Sequence, residues 1–117
     1  MDIDIRPSES HTVTYVEPSA LSSLKAARSF VERCRALVEH LPTHRRMIEP
    51  VLTPRFVPTC TNDLLEGLGK YAEEQKLTIQ SHLAEAKDQV EWVRAERNME
   101  DIDVFDNVSI TNSFMAI

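Results

Sequence analysis

A histidine and a carboxylate follow a short extended stretch near the middle of this 117-residue chain. Residues 77–85 begin with the β-branched pair Thr78 and Ile79, which favours a strand, and continue through His82 to Glu85, where a helical pattern begins. A histidine at the end of a strand can bind a metal ion, and a nearby carboxylate can take a proton from metal-bound water and return it to a leaving nitrogen. The spacing therefore predicts a water-activating site with His82 and Glu85 as its core.

The case for a metal at this position is incomplete on spacing alone. A catalytic zinc usually has three protein ligands, and the spacing supplies only His82. A single histidine is also often a hydrogen-bonded structural residue, and that alternative stays open. The two cysteines, Cys34 and Cys60, lack CxxC spacing, which argues against a thiolate zinc site or a disulfide framework and indicates a reducing, intracellular setting.

A second candidate group lies in a proline-rich segment upstream. Pro54 and Pro58 stiffen an extended loop that carries Arg55 and Phe56 next to each other. A guanidinium fork beside an aromatic face suits a flat heteroaromatic ligand with carbonyl and ring-nitrogen edges. The alternative is a surface arginine next to a packed phenylalanine, and spacing alone does not exclude it.

Composition narrows the class of partner. The formal net charge of −6 disfavours a nucleic acid or an anionic membrane as partner. No apolar run approaches the roughly 20 residues of a membrane-spanning helix, and the first residues lack the features of a secretory signal. The only glycines, Gly67 and Gly69, do not form a phosphate-binding loop, and a close approach of a neighbouring element would explain them. The length suits one modest domain.

The elements that must position these groups can be read from the apolar pattern. We expect an irregular segment over residues 1–17 and a domain over residues 18–117. Apolar residues recur every three or four positions from Leu21 to Leu41, which predicts a long helix capped by Ser19 and ended by Pro42. One apolar stripe of this kind suits packing on the outside of a sheet.

Strands and helices alternate through the rest of the domain. Residues 47–53 have the length of a strand, but Pro50 restricts them to an edge or an irregular strand. Thr61 or Asn62 can cap a second helix whose apolar stripe runs from Leu64 to Gln75. The remaining segments are the strand within 77–85, a third helix over 86–97, an acidic stretch over 99–106 with isolated apolar positions, and the start of a strand over 111–117.

This alternation predicts an α/β fold with a parallel sheet. In such sheets the chemistry lies at the carboxyl ends of the strands. Arg55, His82 and Glu85 each follow a predicted strand, so we expect them to share one face.

Several sequence blocks together resemble the guanine deaminase family of the amidohydrolase superfamily. The most specific are the TPRF block at residues 53–56 and the QSHLAE block at residues 80–85; Cys60, the VEWV block at residues 90–93 and the VFD block at residues 104–106 follow the same order. The resemblance extends from about residue 16 to residue 116. It implies a (β/α)8 TIM-barrel fold, of which this chain holds about three β/α units.

The resemblance also implies a function and residue roles. Members of the family bind zinc and hydrolyse guanine to xanthine and ammonia in purine catabolism. By this resemblance His82 is a zinc ligand, Glu85 is the proton shuttle, Arg55 contacts the polar edge of the purine, and Phe56 contacts it by main chain or stacking. A cytoplasmic location and a homodimer in the intact family are part of the same expectation.

The chain also departs from the family pattern. The paired HxH metal motif is absent, Ile117 stands where a further metal-binding histidine is expected, and the aspartate of the last strand is missing. We therefore expect an internal fragment with an incomplete zinc site, inactive alone. The alternative is a non-catalytic remnant or interaction module that acts through exposed sheet edges. A small α/β domain unrelated to deaminases would require an accidental motif match.

Overall fold

A computed structural model describes residues 17–108, Ile110, and the backbone of Phe114–Ala116. The irregular segment expected before residue 17 lies outside the described residues. In chain order the helices and strands are α1 (Ala20–Glu39), β1 (Val51–Leu52), α2 (Asn62–Gln75), β2 (Thr78–Ser81), α3 (Lys87–Arg97), α4 (Asp101–Asn107) and β3 (Phe114–Ala116). Short 3-10 turns occupy Thr43–Arg45 and Val57–Thr59.

The three described strands form a parallel sheet in the order β1-β2-β3. Val51 pairs with Thr78, and Ile79 pairs with Phe114. The prediction of an α/β fold with parallel strands is confirmed. The run over residues 47–53 contributes only two strand residues, because Pro50 precedes them and has no N–H to donate to a ladder.

Helix α1 begins where the sequence predicts. The Ser19 hydroxyl accepts a hydrogen bond from the Ser22 N–H at 3.1 Å, which satisfies one of the free donors of the first turn. Ala27 and Val31 are buried against the rest of the domain. The predicted apolar stripe is covered only in part, because Leu21 and Leu37 remain 77% and 72% exposed near the two ends of the helix.

Helix α2 supplies the centre of the core. Thr61 caps it by accepting from the Leu64 N–H at 3.2 Å. Leu64, Leu65 and Leu68 are fully buried in one cluster with Leu52 of β1 and Ile79 of β2. These side chains join the helix layer to the sheet.

The last residue of the predicted α2 stripe, Gln75, is exposed, so that part of the prediction is wrong. Gln75 instead accepts hydrogen bonds from Arg35 of α1, at 2.9 Å to its side-chain oxygen and 2.7 Å to its backbone carbonyl. The arginine thus satisfies a free carbonyl at the end of α2.

Helix α4 falls in the acidic stretch for which the sequence predicts no element. Its start is a capping box, in which the Glu100 and Asp103 side chains each bind the other residue's backbone N–H. Val104 and Phe105 are buried in the core. Seven residues are too few to show a helical period, so the isolated apolar positions conceal a short buried helix.

Arg97 ties the end of α3 to the start of α2. Its guanidinium donates to the Cys60 carbonyl at 2.9 Å and to the Asn62 side chain. Burial lowers the pKa of Arg97 from its ordinary value. Arg97 and Trp92 are both half-buried.

None of the helices in the described part of the chain has both the length and the hydropathy needed to cross a bilayer. The longest, α1, has 20 residues and carries charged side chains along its length.

Gly67 gives a direct test of the packing between α1 and α2. A Cβ built at this glycine would lie 2.8 Å from Cδ2 of Leu24, closer than such atoms approach. We expect Gly67→Ala to gain little stability in the native sequence, because this clash offsets the better helix propensity of alanine. In a Leu24→Ala background the same change should raise the free energy of unfolding by about 1 kcal/mol.

Urea denaturation of the four members of this double-mutant cycle measures the difference. An equal gain in both backgrounds would show that α1 does not press on Gly67.

Candidate active site

The parallel pairing of β1 and β2 brings the TPRF and QSHLAE blocks side by side. Beyond the strand residues the contact continues, since the Gln80 amide donates to the Thr53 hydroxyl at 3.0 Å. His82 directly follows β2, and Arg55 lies three residues after β1. The expected grouping of these two residues at the carboxyl ends of the strands is what the structure shows.

The backbone carbonyl of Arg55 is the centre of this site. It accepts from the His82 N–H at 3.0 Å and from the Ser81 hydroxyl at 3.2 Å. It also lies 3.1 Å from Nδ1 of the His82 ring. Ser81 is completely buried, so its hydroxyl has to find a partner within the protein. The His82 backbone and ring are thus fixed to the neighbouring loop.

This contact determines the tautomer of His82. A carbonyl oxygen can only accept, so the hydrogen bond requires a proton on Nδ1. In the neutral ring Nε2 then carries the free lone pair. Metal-binding histidines commonly have this arrangement, in which the other ring N–H donates to a backbone carbonyl and fixes the ring orientation. His82 therefore has the geometry of a ligand that binds through Nε2.

The neighbouring pair, Arg55 and Phe56, is stacked. The guanidinium carbon of Arg55 lies 5.2 Å from the centroid of the Phe56 ring, within the range of a cation–π contact. Arg55 is exposed and Phe56 is half-buried. The Phe56 carbonyl accepts from the Thr59 hydroxyl at 3.1 Å, which anchors the following turn. The arginine thus lies over the aromatic face that was a candidate contact for a flat ligand.

Glu85 lies in the loop between β2 and α3. The expectation that Glu85 is on the first helical turn is wrong, because α3 begins at Lys87. The chain turns sharply instead at Ala84, whose φ of 48° is in the left-handed region. The Glu85 side chain is exposed, and its position depends on this turn.

Two buried polar residues near this loop were missed by the sequence reasoning. Asp101 and Gln89 are only 4% and 8% exposed. The Asp101 carboxylate accepts from the Ala84 N–H at 3.0 Å and from the Gln89 side-chain amide at 2.7 Å. The Glu100–Asp103 capping pattern marks the helix start, but no sequence signal links Asp101 to a loop 17 residues upstream.

The described residues fit one position of a metal site and not the whole of it. Among residues 17–108 and Ile110, no group of three histidine, cysteine, aspartate or glutamate side chains is arranged to hold a metal ion. His82 is the candidate ligand with a suitable second contact. A catalytic zinc at this position would need further ligands from outside the described residues.

Curated relatives match this part of the chain. A probable guanine deaminase of Schizosaccharomyces pombe is 42% identical over 80 residues, which is 68% of this chain and 14% of the relative. A guanine deaminase of Dictyostelium discoideum is 38% identical over 81 residues, 69% of this chain and 16% of the relative. The chain is similar to one segment of the guanine deaminases. The resemblance predicted from the sequence is therefore confirmed, and no family model matches the chain.

Solved structures give the same answer for the fold. A guanine deaminase from C. acetobutylicum with guanine bound in its active site superposes with a TM-score of 0.74 at 25% identity, over 90% of this chain and 24% of that one. An atrazine chlorohydrolase from Arthrobacter aurescens complexed with zinc superposes with a TM-score of 0.65 at 17% identity, over 98% of this chain and 24% of that one. The fold is thus that of a segment of these larger proteins.

The orientation of His82 can be tested without any metal. We expect the neutral ring to carry its proton on Nδ1, because Nδ1 faces the Arg55 carbonyl. Long-range ¹⁵N–¹H NMR correlations of the imidazole at a pH where the ring is neutral distinguish the two tautomers. The exposed His40 serves as the internal reference. A ring protonated mainly on Nε2 would contradict the hydrogen bond and remove the argument for an Nε2 ligand.

Proposed function

We propose that this chain is part of a zinc-dependent guanine deaminase that hydrolyses guanine to xanthine and ammonia in purine catabolism. The observation that carries the proposal is the 3.1 Å contact between His82 Nδ1 and the Arg55 carbonyl. It lies at the carboxyl ends of the parallel strands β1 and β2. The relatives named as guanine deaminases, and the similar structure with bound guanine, support guanine as the substrate. The chain spans only 14–16% of the length of the two curated relatives described above. We therefore propose the activity for a longer protein that includes this segment.

We infer that residues 18–117 form about three β/α units of a (β/α)8 barrel. The sequential order of three parallel strands supports this assignment. In the described sheet, β1 and β3 each have one side without a strand partner, and a closed barrel would pair both. We also propose a cytoplasmic location, which is supported by a sequence that has only two cysteines, far apart and without CxxC spacing.

In the assembled site His82 would hold the zinc through Nε2. A bound zinc would polarise the substrate and lower the pKa of a water molecule that attacks the ring. The zinc in the similar atrazine chlorohydrolase supports this choice of metal. The Arg55 carbonyl keeps the ring of His82 in one orientation, so that little side-chain entropy is lost when the metal binds.

Glu85 would move the protons. A carboxylate within reach of the attacking water accepts its proton and then delivers it to the amino group that leaves as ammonia. One water is consumed, the carbon–nitrogen bond breaks, and a carbonyl replaces the amino group. Glu85 suits this role because it follows His82 by three residues on the same loop.

Arg55 and Phe56 would bind the purine. The guanidinium can donate two parallel hydrogen bonds to the carbonyl and ring-nitrogen edge of the base. In the present structure it lies over one face of the Phe56 ring, so stacking of a purine on that face would require Arg55 to move outward. The two residues would thus exchange an internal cation–π contact for contacts with the substrate.

An interaction module is the second candidate function. Three large apolar side chains of α1, Leu21, Phe30 and Leu37, are 77%, 54% and 72% exposed. Phe30 and Leu37, seven residues apart, lie on one side of the helix, whereas Leu21 lies on the opposite side. An exposed apolar patch such as Phe30 and Leu37 can bind another protein or a second copy of the chain, as in a homodimer. The catalytic proposal explains the exposure on both sides, because further barrel elements would cover these side chains.

A chimera tests the catalytic proposal. The segment of the S. pombe relative that matches this chain is replaced by the 80 aligned residues, and guanine deamination and zinc content are measured. We expect an active, zinc-containing chimera. His82→Ala should lose both zinc and activity, whereas Glu85→Gln should keep the zinc and lower kcat by about a hundredfold or more.

Two results would contradict the proposal. One is a folded, zinc-loaded chimera without activity, and the other is full activity in Glu85→Gln. Lys87→Gln, an exposed charge change two residues further on, is the control and should leave kcat unchanged.

The isolated chain incubated with zinc and guanine should release no ammonia above the His82→Ala background, because its described residues supply one metal ligand. If the chimera does not fold, zinc affinity of the isolated chain with and without His82→Ala decides the ligand role.

A further inference from the structure

A buried carboxylate from α4 supports the loop that carries Glu85. Asp101 is the first residue of α4 and only 4% of it is exposed. Its Oδ2 atom accepts two hydrogen bonds, from the Ala84 N–H at 3.0 Å and from the Gln89 amide at 2.7 Å. Burial of a carboxylate is costly unless hydrogen bonds compensate for lost water, so these bonds hold Asp101 and its partners together.

The backbone that Asp101 binds is in an unfavourable conformation. Ala84 has a φ of 48°, a value that residues with a Cβ seldom adopt. Such a conformation persists only where the surroundings enforce it, and it is common at functional sites. Ala84 lies between His82 and Glu85, so its backbone angles set the direction in which Glu85 leaves the strand. The Asp101 hydrogen bond holds the amide of this residue.

Gln89 completes the support. It lies in the first turn of α3 and is buried, and its side-chain amide donates to the same oxygen of Asp101. The carboxylate therefore joins the loop after β2, the start of α3 and the start of α4. A displacement of α4 would be transmitted to Ala84 through one atom.

We propose that Asp101 is a positioning residue that fixes Glu85 relative to His82 by holding Ala84 in the left-handed conformation. The inference rests on the proposed function, in which His82 holds the zinc and Glu85 moves the protons. Asp101 itself is buried and acts through the backbone of Ala84. The acidic residue is thus needed for the loop geometry and not for contact with the purine.

Hydrogen exchange of the Ala84 amide in the full chain tests the support directly. Because the acceptor is a carboxylate, Asp101→Ala should accelerate exchange of this amide at least about tenfold. Asp101→Asn keeps an acceptor oxygen in the same place and should give a smaller, severalfold rise. Partial restoration of slow Ala84 exchange by asparagine would show that the hydrogen bond, and not only the volume of the side chain, protects this amide.

Asp103→Ala is the matched control. It removes another carboxylate of the same helix, one that binds the backbone of Glu100 and has no described contact with the loop. It should weaken α4 while leaving Ala84 exchange close to that of the native chain. Equal acceleration in both alanine variants, or none in Asp101→Ala, would overturn the proposal. If Asp101→Ala does not fold, Asp101→Leu, which keeps the size of the side chain and lacks an acceptor, replaces it, and Ala84 exchange as slow as in the native chain then overturns the proposal.

Paramagnetic broadening tests the geometry that the support maintains. Co²⁺ added to the full chain should broaden the NMR signals of His82 and Glu85, and the part that disappears in His82→Ala belongs to this histidine. In Asp101→Ala the Glu85 side chain should lose most of its His82-dependent broadening, while the His82 signals keep theirs. Retention of the native Glu85 broadening would overturn the positioning role.

The Co²⁺ and hydrogen-exchange experiments distinguish a failure of the proposed function from a failure of the positioning role. Absence of any His82-dependent broadening in the native chain would count against the ligand role of His82 and hence the proposed function. The exchange of the Ala84 amide would still show whether Asp101 holds the loop.

Discussion

The backbone carbonyl of Arg55 is the interaction on which the candidate site depends. One oxygen in the loop after β1 accepts from the His82 N–H, the buried Ser81 hydroxyl and the His82 ring. Since all three donors come from consecutive residues at the end of β2, the carbonyl extends the sheet beyond its last paired residues. A substitution of the Arg55 side chain would leave this carbonyl in place. The two roles proposed for Arg55, orienting the His82 ring and binding the purine, thus depend on different groups, the backbone carbonyl and the side chain.

The two halves of the proposed catalytic pair are fixed in different ways. His82 is held by the sheet, through hydrogen bonds to a neighbouring strand end. Glu85 is held from the other side, because Ala84 is bound by the carboxylate of a helix that follows α3. A metal ligand needs one defined ring orientation, whereas a proton shuttle has to reach both water and leaving group. The strained turn at Ala84, held by the buried Asp101 carboxylate, suits a residue that has to reach both groups.

The sequence predicts the parts of the site that depend on strand periodicity. Parallel β1 and β2 place Arg55 beside His82, and this follows from the alternation of strands and helices alone. The turn at Ala84 could not be predicted, because alanine gives no signal for a left-handed conformation. Asp101 was missed because α4 has only seven residues and because its partners are a backbone amide and a side chain of another helix. A hydrogen bond to the backbone of a residue far away in the sequence does not produce a local pattern of residue types.

The exposed apolar side chains of α1 and the incomplete candidate metal site have one common explanation in the proposed barrel. A β/α unit of a barrel buries its helix against the helices on both sides, and its strand-end residues meet ligands from distant strands. Leu21 and Leu37 are exposed on two sides of α1 where such neighbours would pack, and His82 is one candidate ligand where three would converge. An independent domain would be expected to cover its own apolar side chains or to supply all the ligands of its own metal site. Because the described residues do neither, the proposed assembly with the remainder of a barrel explains the exposed apolar side chains and the incomplete candidate metal site together.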